Sequence, residues 1–199
     1  AAAGLNLNLA RSVAFPGPED TFDFKTHYAC VETRDIVEKW HGWGGGQILV
    51  DASIHGEYST KPPVWAALAD YAREKGLGMQ VHISETQQEH EACVARWGET
   101  PIRVLDRYGF WDVRATAAHC VWTTPDDWAL MARKGVTAVH NPTSNLKLGS
   151  GVAPVAEMRR AGVNVALGTD GVSSNNACNF FADLKLAALL QSGVTRDPT

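Results

Sequence analysis

Histidines and carboxylates recur in this sequence where short apolar runs give out. His82 lies near the end of Gly78-Met79-Gln80-Val81-His82-Ile83, and Glu85 follows it by three positions. A strand projects alternate residues to one face, so His82 and Ser84 share a side. Glu85 stands where strand should give way to loop and can turn back over His82. A histidine to hold a metal and a carboxylate to move protons are the parts of metal-assisted hydrolysis. The ordinary alternative is a core histidine beside a helix-capping glutamate. The rest of the chain repeats the arrangement: His55 follows QILVDASI, His119 sits late in RATAAHCV, Asn141 follows GVTAVH, and Asp170 follows VNVALG. Taken singly, His119 reads as a buried structural histidine and Asp170 in Thr-Asp-Gly as a turn residue. Taken together, they are polar groups at successive strand ends. A catalytic zinc site wants about three imidazole or carboxylate ligands and an open position for water. His82 and Asp170 have that chemistry; His119 is either a third ligand or the holder of the water.

The elements that must position these residues alternate. Gly4–Val13 alternates apolar and polar residues as a strand does, with Arg11 near its end, and Phe15–Asp23 reads as a loop. A helix is expected from about Phe24 to Trp40, and Gly42–Gly46 as a turn and spacer, since no Lys-Ser/Thr follows to make a phosphate loop. Strands are expected at Gln47–Ile54, around Met79–Ile83, at Arg114–Val121, Gly135–His140 and Val163–Gly168. Helices are expected at Pro62–Lys75, Gln87–Trp97, Pro101–Tyr108, Pro125–Lys134 (Thr124 as N-cap), Pro154–Ala161 and Asn179–Gln191, the last amphipathic. Thr143–Gly151 reads as loop. Strand then helix, six times over, calls for a parallel sheet with right-handed crossovers. Polar residues at C-terminal strand ends, and no Gly-x-Gly-x-x-Gly after the first strand, favour a (β/α)8 barrel over a dinucleotide fold. Eight strands make such a barrel and six are present, so the α/β fold expected over residues 1–199 is an incomplete TIM-type barrel.

Composition excludes several classes. The 199 residues are 45% hydrophobic, enough for a real core, and the net charge of -4 argues against nucleic acid or an anionic membrane as partner. No apolar run reaches the ~20 residues of a membrane span. Ala1–Ala10 lacks the basic start of a secretory leader. Cys30, Cys93, Cys120 and Cys178 are widely spaced, which suits buried thiols in a reducing, cytoplasmic compartment. The chain opens on Ala-Ala-Ala-Gly without methionine and reads as a piece of something longer.

VHISET (81–86), AAHCV (117–121), HNPTSNLKLGSGVAPV (140–155) and LGTDGVSSNN (167–176) together resemble the amidohydrolase superfamily. Within it they look most like the branch of 5-methylthioadenosine/S-adenosylhomocysteine deaminases and related chlorohydrolases, from Leu5 to Gln191. The resemblance implies a distorted (β/α)8 barrel with one divalent metal, zinc or alternatively iron, in a homo-oligomer acting on a small molecule. It makes His82 and Asp170 metal ligands. It makes Glu85 the shuttle of a proton to a substrate ring nitrogen, and His119 the residue that orients the hydrolytic water; Asp170 also takes that water's proton. His55 and Arg11 correspond to substrate-contacting positions, with Asn145 and Ser174 as weaker substrate candidates. Asn141, Ser144 and Lys147 fall in the family's seventh-strand loop as loop structure. Trp122, just after His119, is the one tryptophan placed to line a pocket.

One departure matters. The family's first strand carries His-x-His, two of its four metal ligands, and this chain has no His-x-His. The 199 residues then correspond to strands three to eight of the family barrel, and alone are expected to bind metal weakly. Three activities remain in play: deamination of an adenosine-type thioether nucleoside; hydrolysis of guanine, cytosine or a triazine; and a non-catalytic barrel remnant.

Overall fold

A computed structural model describes residues 4–197. Ala1–Ala3 and Pro198–Thr199, on which the readings of the chain ends partly rest, lie outside the described residues. The elements run β1 (Leu7–Val13), α1 (Tyr28–Trp40), α2 (Trp43–Gly46), β2 (Ile48–Ile54), α3 (Pro62–Lys75), β3 (Met79–Ile83), α4 (Gln87–Trp97), α5 (Pro101–Asp106), β4 (Ala115–His119), α6 (Pro125–Lys134), β5 (Thr137–His140), α7 (Pro142–Lys147), α8 (Val155–Arg160), β6 (Asn164–Leu167), α9 (Val172–Asn175) and α10 (Phe180–Thr195). The six strands pair in sequence order, as successive strands of a (β/α)8 barrel do. β1 and β2 run parallel with Leu7 opposite Ile48 through Val13 opposite Ile54, and β5 and β6 run parallel with Thr137 opposite Asn164 through His140 opposite Leu167. The described chain divides into two compact units, residues 4–81 with 104–116, and residues 82–103 with 117–197.

In the first unit, β2 buries Ile48, Val50, Ala52 and Ile54, while α3 buries Val64, Trp65, Leu68, Ala69 and Ala72 at helical spacing. Each large apolar side chain so buried contributes about 1.5–3 kcal/mol. Trp65 donates its indole N–H to Thr60 Oγ1 at 2.7 Å and sets its ring edge-on to Tyr108 at 5.2 Å. The polar knot of this unit is Asp51, fully buried in β2. It accepts from Asn8 Nδ2 (2.7 Å), Gly78 N (3.0 Å), Gln80 Nε2 (3.0 Å) and Arg114 Nη2 (2.6 Å), so the buried charge is paired and saturated. Position 78 must be glycine, because a Cβ there would sit 2.8 Å from Asp51 Oδ1 and from the Arg114 carbonyl oxygen.

In the second unit, Thr124 caps α6 as its sequence predicts. The Thr124 and Asp127 side chains bond each other's backbone N–H, Pro125 follows the cap, and Gly135 ends the helix in the left-handed region. Cys30, Cys93 and Cys120 are buried and Cys178 is half-buried. No helix among the described residues is long and apolar enough to cross a membrane.

Three expectations need correction. The first helix begins at Tyr28 rather than Phe24. Asp23 accepts from Lys25 N (2.8 Å) and Thr26 Oγ1 (3.0 Å), a side-chain turn that competes with helix initiation. Thr143–Gly151 is not all loop. Pro142 starts a helical turn in which Asn145 N bonds Asn141 O at 2.9 Å. The last helix runs to Thr195 with Asn179 as its cap, and it is not amphipathic as expected. Asp183 is buried, held by Asn175 Nδ2 at 2.8 Å, whereas Phe181 and Leu189 are 81% and 61% exposed.

Candidate active site

The site is built on the ends of β3, β4 and β6 in the second unit. Past Ile83 the chain turns sharply, with Ser84 at φ 47. The buried Glu89 carboxylate shapes this turn: Oε1 accepts the Ser84 N–H and Oε2 the Glu85 N–H, both at 2.9 Å. Ser84 Oγ meets His90 Nδ1 at 3.1 Å, and Thr86 caps α4 by accepting the Glu89 N–H. Burial pushes the Glu89 carboxyl up to about 7, against the pull of the N–H groups it accepts. The backbone of Glu85 is thus fixed, and its side chain is 19% exposed. Glu85 Oε1 accepts from Ser150 Oγ at 3.2 Å, and Oε2 lies 3.6 Å from His119 Nε2.

His119 ends β4 on a second sharp turn, with φ 74 at His119 and 52 at Cys120. Cys120 N bonds Ile83 O at 3.1 Å, tying the two strand ends together. The His119 ring lies 5.5 Å from the His82 ring, centroid to centroid. His119 is 2% exposed; its Nδ1 lies 2.9 Å from Asn145 Oδ1 and 3.5 Å from Asn141 Nδ2.

Asp170 follows β6 at φ 60. Ser144 Oγ donates to its Oδ2 at 2.5 Å and Gly171 N to its Oδ1 at 2.7 Å. Burial alone would raise this carboxyl; the Ser144 and Gly171 donors and the nearby His119 and His82 rings outweigh it and hold Asp170 below the ordinary aspartate value. The approach of β6 to this site depends on Gly168, where a Cβ would fall 2.3 Å from Asn141 Oδ1 and 2.9 Å from Val139 Cγ1.

His82, Glu85, His119, Asp170 and Asn145 therefore belong to one unit. Ser174 is in that unit too, half-buried in the short α9. His55 and Arg11 belong to the first unit. His55 follows β2, with Nδ1 3.0 Å from Ser59 Oγ; Arg11 near the end of β1 pairs with Glu32 at 2.5 Å and lies over Tyr28. Trp122 is 37% exposed and donates its indole N–H to Ser150 O at 2.8 Å.

Imidazole and carboxylate suit a zinc-type ion, and His82 and Asp170 are donors of that kind. Among the described residues no group of three or more His, Cys, Asp or Glu is arranged to hold a metal. The donor chemistry of His82 and Asp170 fits a divalent ion.

Residues 3–199 match the family described as "Amidohydrolase family". The chain belongs to the amidohydrolase family. It is 41% identical over 197 residues to 5-methylthioadenosine/S-adenosylhomocysteine deaminase of Moorella thermoacetica, covering 99% of this chain and 45% of that protein. The fold matches an adenosine deaminase from Xanthomonas campestris with bound zinc, at TM-score 0.84 and 30% identity, over 95% of this chain and 42% of the other. It also matches the atrazine chlorohydrolase of Arthrobacter aurescens complexed with zinc, at TM-score 0.86 and 26% identity, over 98% and 44%. The chain thus spans less than half the length of the relatives it matches.

The amidohydrolase-like motifs contain His82, Glu85, His119 and Asp170, which the fold places in one unit, but do not point to the groups that hold them. Ser144 bonds Asp170 and Asn145 bonds His119, contacts between loops and strand ends that no local pattern signals. Glu89 was not singled out, although Thr86-Gln87-Gln88-Glu89 is the Ser/Thr-x-x-Glu pattern of a capping box. Ser150 carried no signal, because only the folded chain brings it to Glu85.

Proposed function

We propose that this chain supplies the proton-handling side of a metal-dependent aminohydrolase centre. Its substrate is an adenosine-type nucleoside such as 5-methylthioadenosine or S-adenosylhomocysteine. The observation that carries the reading is the gathering of Glu85, His119, His82 and Asp170 in one unit, with His119 Nε2 3.6 Å from Glu85 Oε2. The 41% identity to the Moorella enzyme supports the substrate class. Residues 1–199 act as one portion of the catalytic barrel, strands three to eight, within a cytoplasmic homo-oligomer whose partner is a small molecule.

His82 and Asp170 would hold the divalent ion, zinc before iron, which when bound makes water a better nucleophile at neutral pH. The rest is proton traffic on this chain's own side chains. Asp170, kept ionised by Ser144 and Gly171, takes a proton from the attacking water. Glu85 delivers a proton to the ring nitrogen beside the carbon under attack, so that the ring can accept the added electron pair. His119 holds the water against the reacting carbon. The proton held by Asp170 passes to the amino group, the hydroxyl proton of the adduct returns to Glu85, the C–N bond breaks to release ammonia, and the ring keeps the oxygen. His55 and Arg11 are substrate contacts, Arg11 toward the tail, with Asn145 and Ser174 weaker candidates.

The test is a chimera of the Moorella relative in which this chain replaces the matched 197 residues. It is expected to release ammonia from 5-methylthioadenosine, and E85Q within it to lose about 10²–10⁴-fold in kcat/KM. A folded, zinc-bearing chimera that turns over only guanine or atrazine, that turns over nothing, or that ignores E85Q would refute the reading.

A further inference from the structure

We propose that Asn145 is a positioning residue that locks His119 in its Nδ1–H tautomer, so that every proton His119 exchanges passes through Nε2. The purpose rests on the aminohydrolase reading above; the geometry does not. A neutral imidazole carries one N–H and one bare nitrogen, and the partner of one nitrogen decides which. Asn145 Oδ1 lies 2.9 Å from His119 Nδ1 and, as a carbonyl oxygen, only accepts, so Nδ1 carries the hydrogen. The competing donor, Asn141 Nδ2, stands at 3.5 Å, at the limit of a hydrogen bond. On the opposite side of the ring, Glu85 Oε2 at 3.6 Å is too far to capture an Nε2–H.

Asn145 is well built for this role. It is fully buried, and its backbone is tied at both ends: its N–H bonds Asn141 O at 2.9 Å, and its carbonyl oxygen accepts Ser150 N at 2.8 Å. Its Nδ2 is buried with no partner among the described residues. If the amide were turned over, that nitrogen would face Nδ1 and demand the opposite tautomer of the ring. The two orientations therefore make opposite statements about His119. In the assigned one, Nδ1 keeps its hydrogen on Asn145, and the Nε2 lone pair on the opposite side of the ring is available to accept a hydrogen bond from water.

The experiment is a two-bond ¹H–¹⁵N correlation spectrum of the metal-free protein at pH 8.5. The His119 signals are assigned by their loss in H119Q. A single Nδ1–H tautomer is expected in the wild type, retained in N145D, which keeps the acceptor, and lost in N145L. An Nε2–H tautomer in the wild type overturns the proposal outright, whether or not any variant folds. A folded N145L that keeps the Nδ1–H tautomer overturns it as well, since packing alone would then suffice. The spectrum needs neither metal nor substrate, so the tautomer assignment and the deaminase reading stand or fall separately.

Discussion

His140, the last residue of β5, is 2% exposed, and neither ring nitrogen has a hydrogen-bond partner among the described residues. Burial lowers its pKa to about 4; the charge of Asp183 pulls the other way and His119 reinforces the fall. The sign follows from which state takes the proton. The folded pKa lies below the unfolded value of 6.5, so between those values the unfolded chain binds a proton that the folded one refuses. This contribution to stability is complete above about pH 6.5 and is lost as pH falls toward 4. The gap corresponds to roughly 3 kcal/mol across that window.

Replacing the ring by leucine, H140L, removes both the orphaned nitrogens and the titration. An unsatisfied buried polar group costs about 1–3 kcal/mol, and a shape change in a packed position returns part of that. The variant is therefore expected to be about 1 kcal/mol more stable than wild type at pH 7.5. Its advantage should widen to roughly 4 kcal/mol near pH 4. Urea unfolding of metal-free protein at half-unit pH steps measures both curves, and their difference cancels the carboxylates common to the two proteins. Parallel curves, with a difference constant to within 0.5 kcal/mol from pH 7.5 to 4, would sink the argument: His140 would then be titrating normally.

Two further outcomes follow from single contacts. E89Q keeps the side chain's size but puts an amide N–H₂ where two backbone N–H groups converge, so amide exchange at Ser84 and Glu85 should quicken by about 10-fold or more; unchanged protection would remove Glu89 from the positioning of Glu85. G168A forces a methyl to within 2.3 Å of Asn141 Oδ1 and should cost about 1–3 kcal/mol in thermal unfolding, whereas an unaltered Tm would mean that the strand ends have slack.

How far the sequence could be read varied with the range of the interaction. The six strands and their order were legible because apolar runs of strand length alternate with helical periodicities, and signals such as Thr124-Pro125 are local. The start of α1 was misplaced because Asp23 diverts nearby donors into a turn, a competition that periodicity does not register. α10 misled for a different reason: its buried face includes Asp183, satisfied by Asn175, so polarity and burial part company there. At the site, the side chains with unusual chemistry stood out by type and spacing. The residues that aim them, Asn145, Ser144 and Ser150, are ordinary types that become informative only through distances across loops.

The backbone itself marks the same place. Ser84, His119, Cys120 and Asp170 all hold positive φ without being glycine, and they lie at the ends of the three strands that carry Glu85, His119 and Asp170. Each such residue costs on the order of 1–3 kcal/mol, against a net stability of about 5–15 kcal/mol for a typical domain. Strain of that size persists only where the surroundings over-determine it, and here they do. Glu89 grips the Ser84 turn with two N–H bonds, Ile83 O holds Cys120 N, and Ser144 and Gly171 hold the Asp170 carboxylate. A relaxed strand end would carry its side chain on along the strand direction; a left-handed residue turns the chain abruptly and brings neighbouring strand ends together. The cost is met at three strand ends, and it gathers side chains that no regular sheet would place within reach of one another.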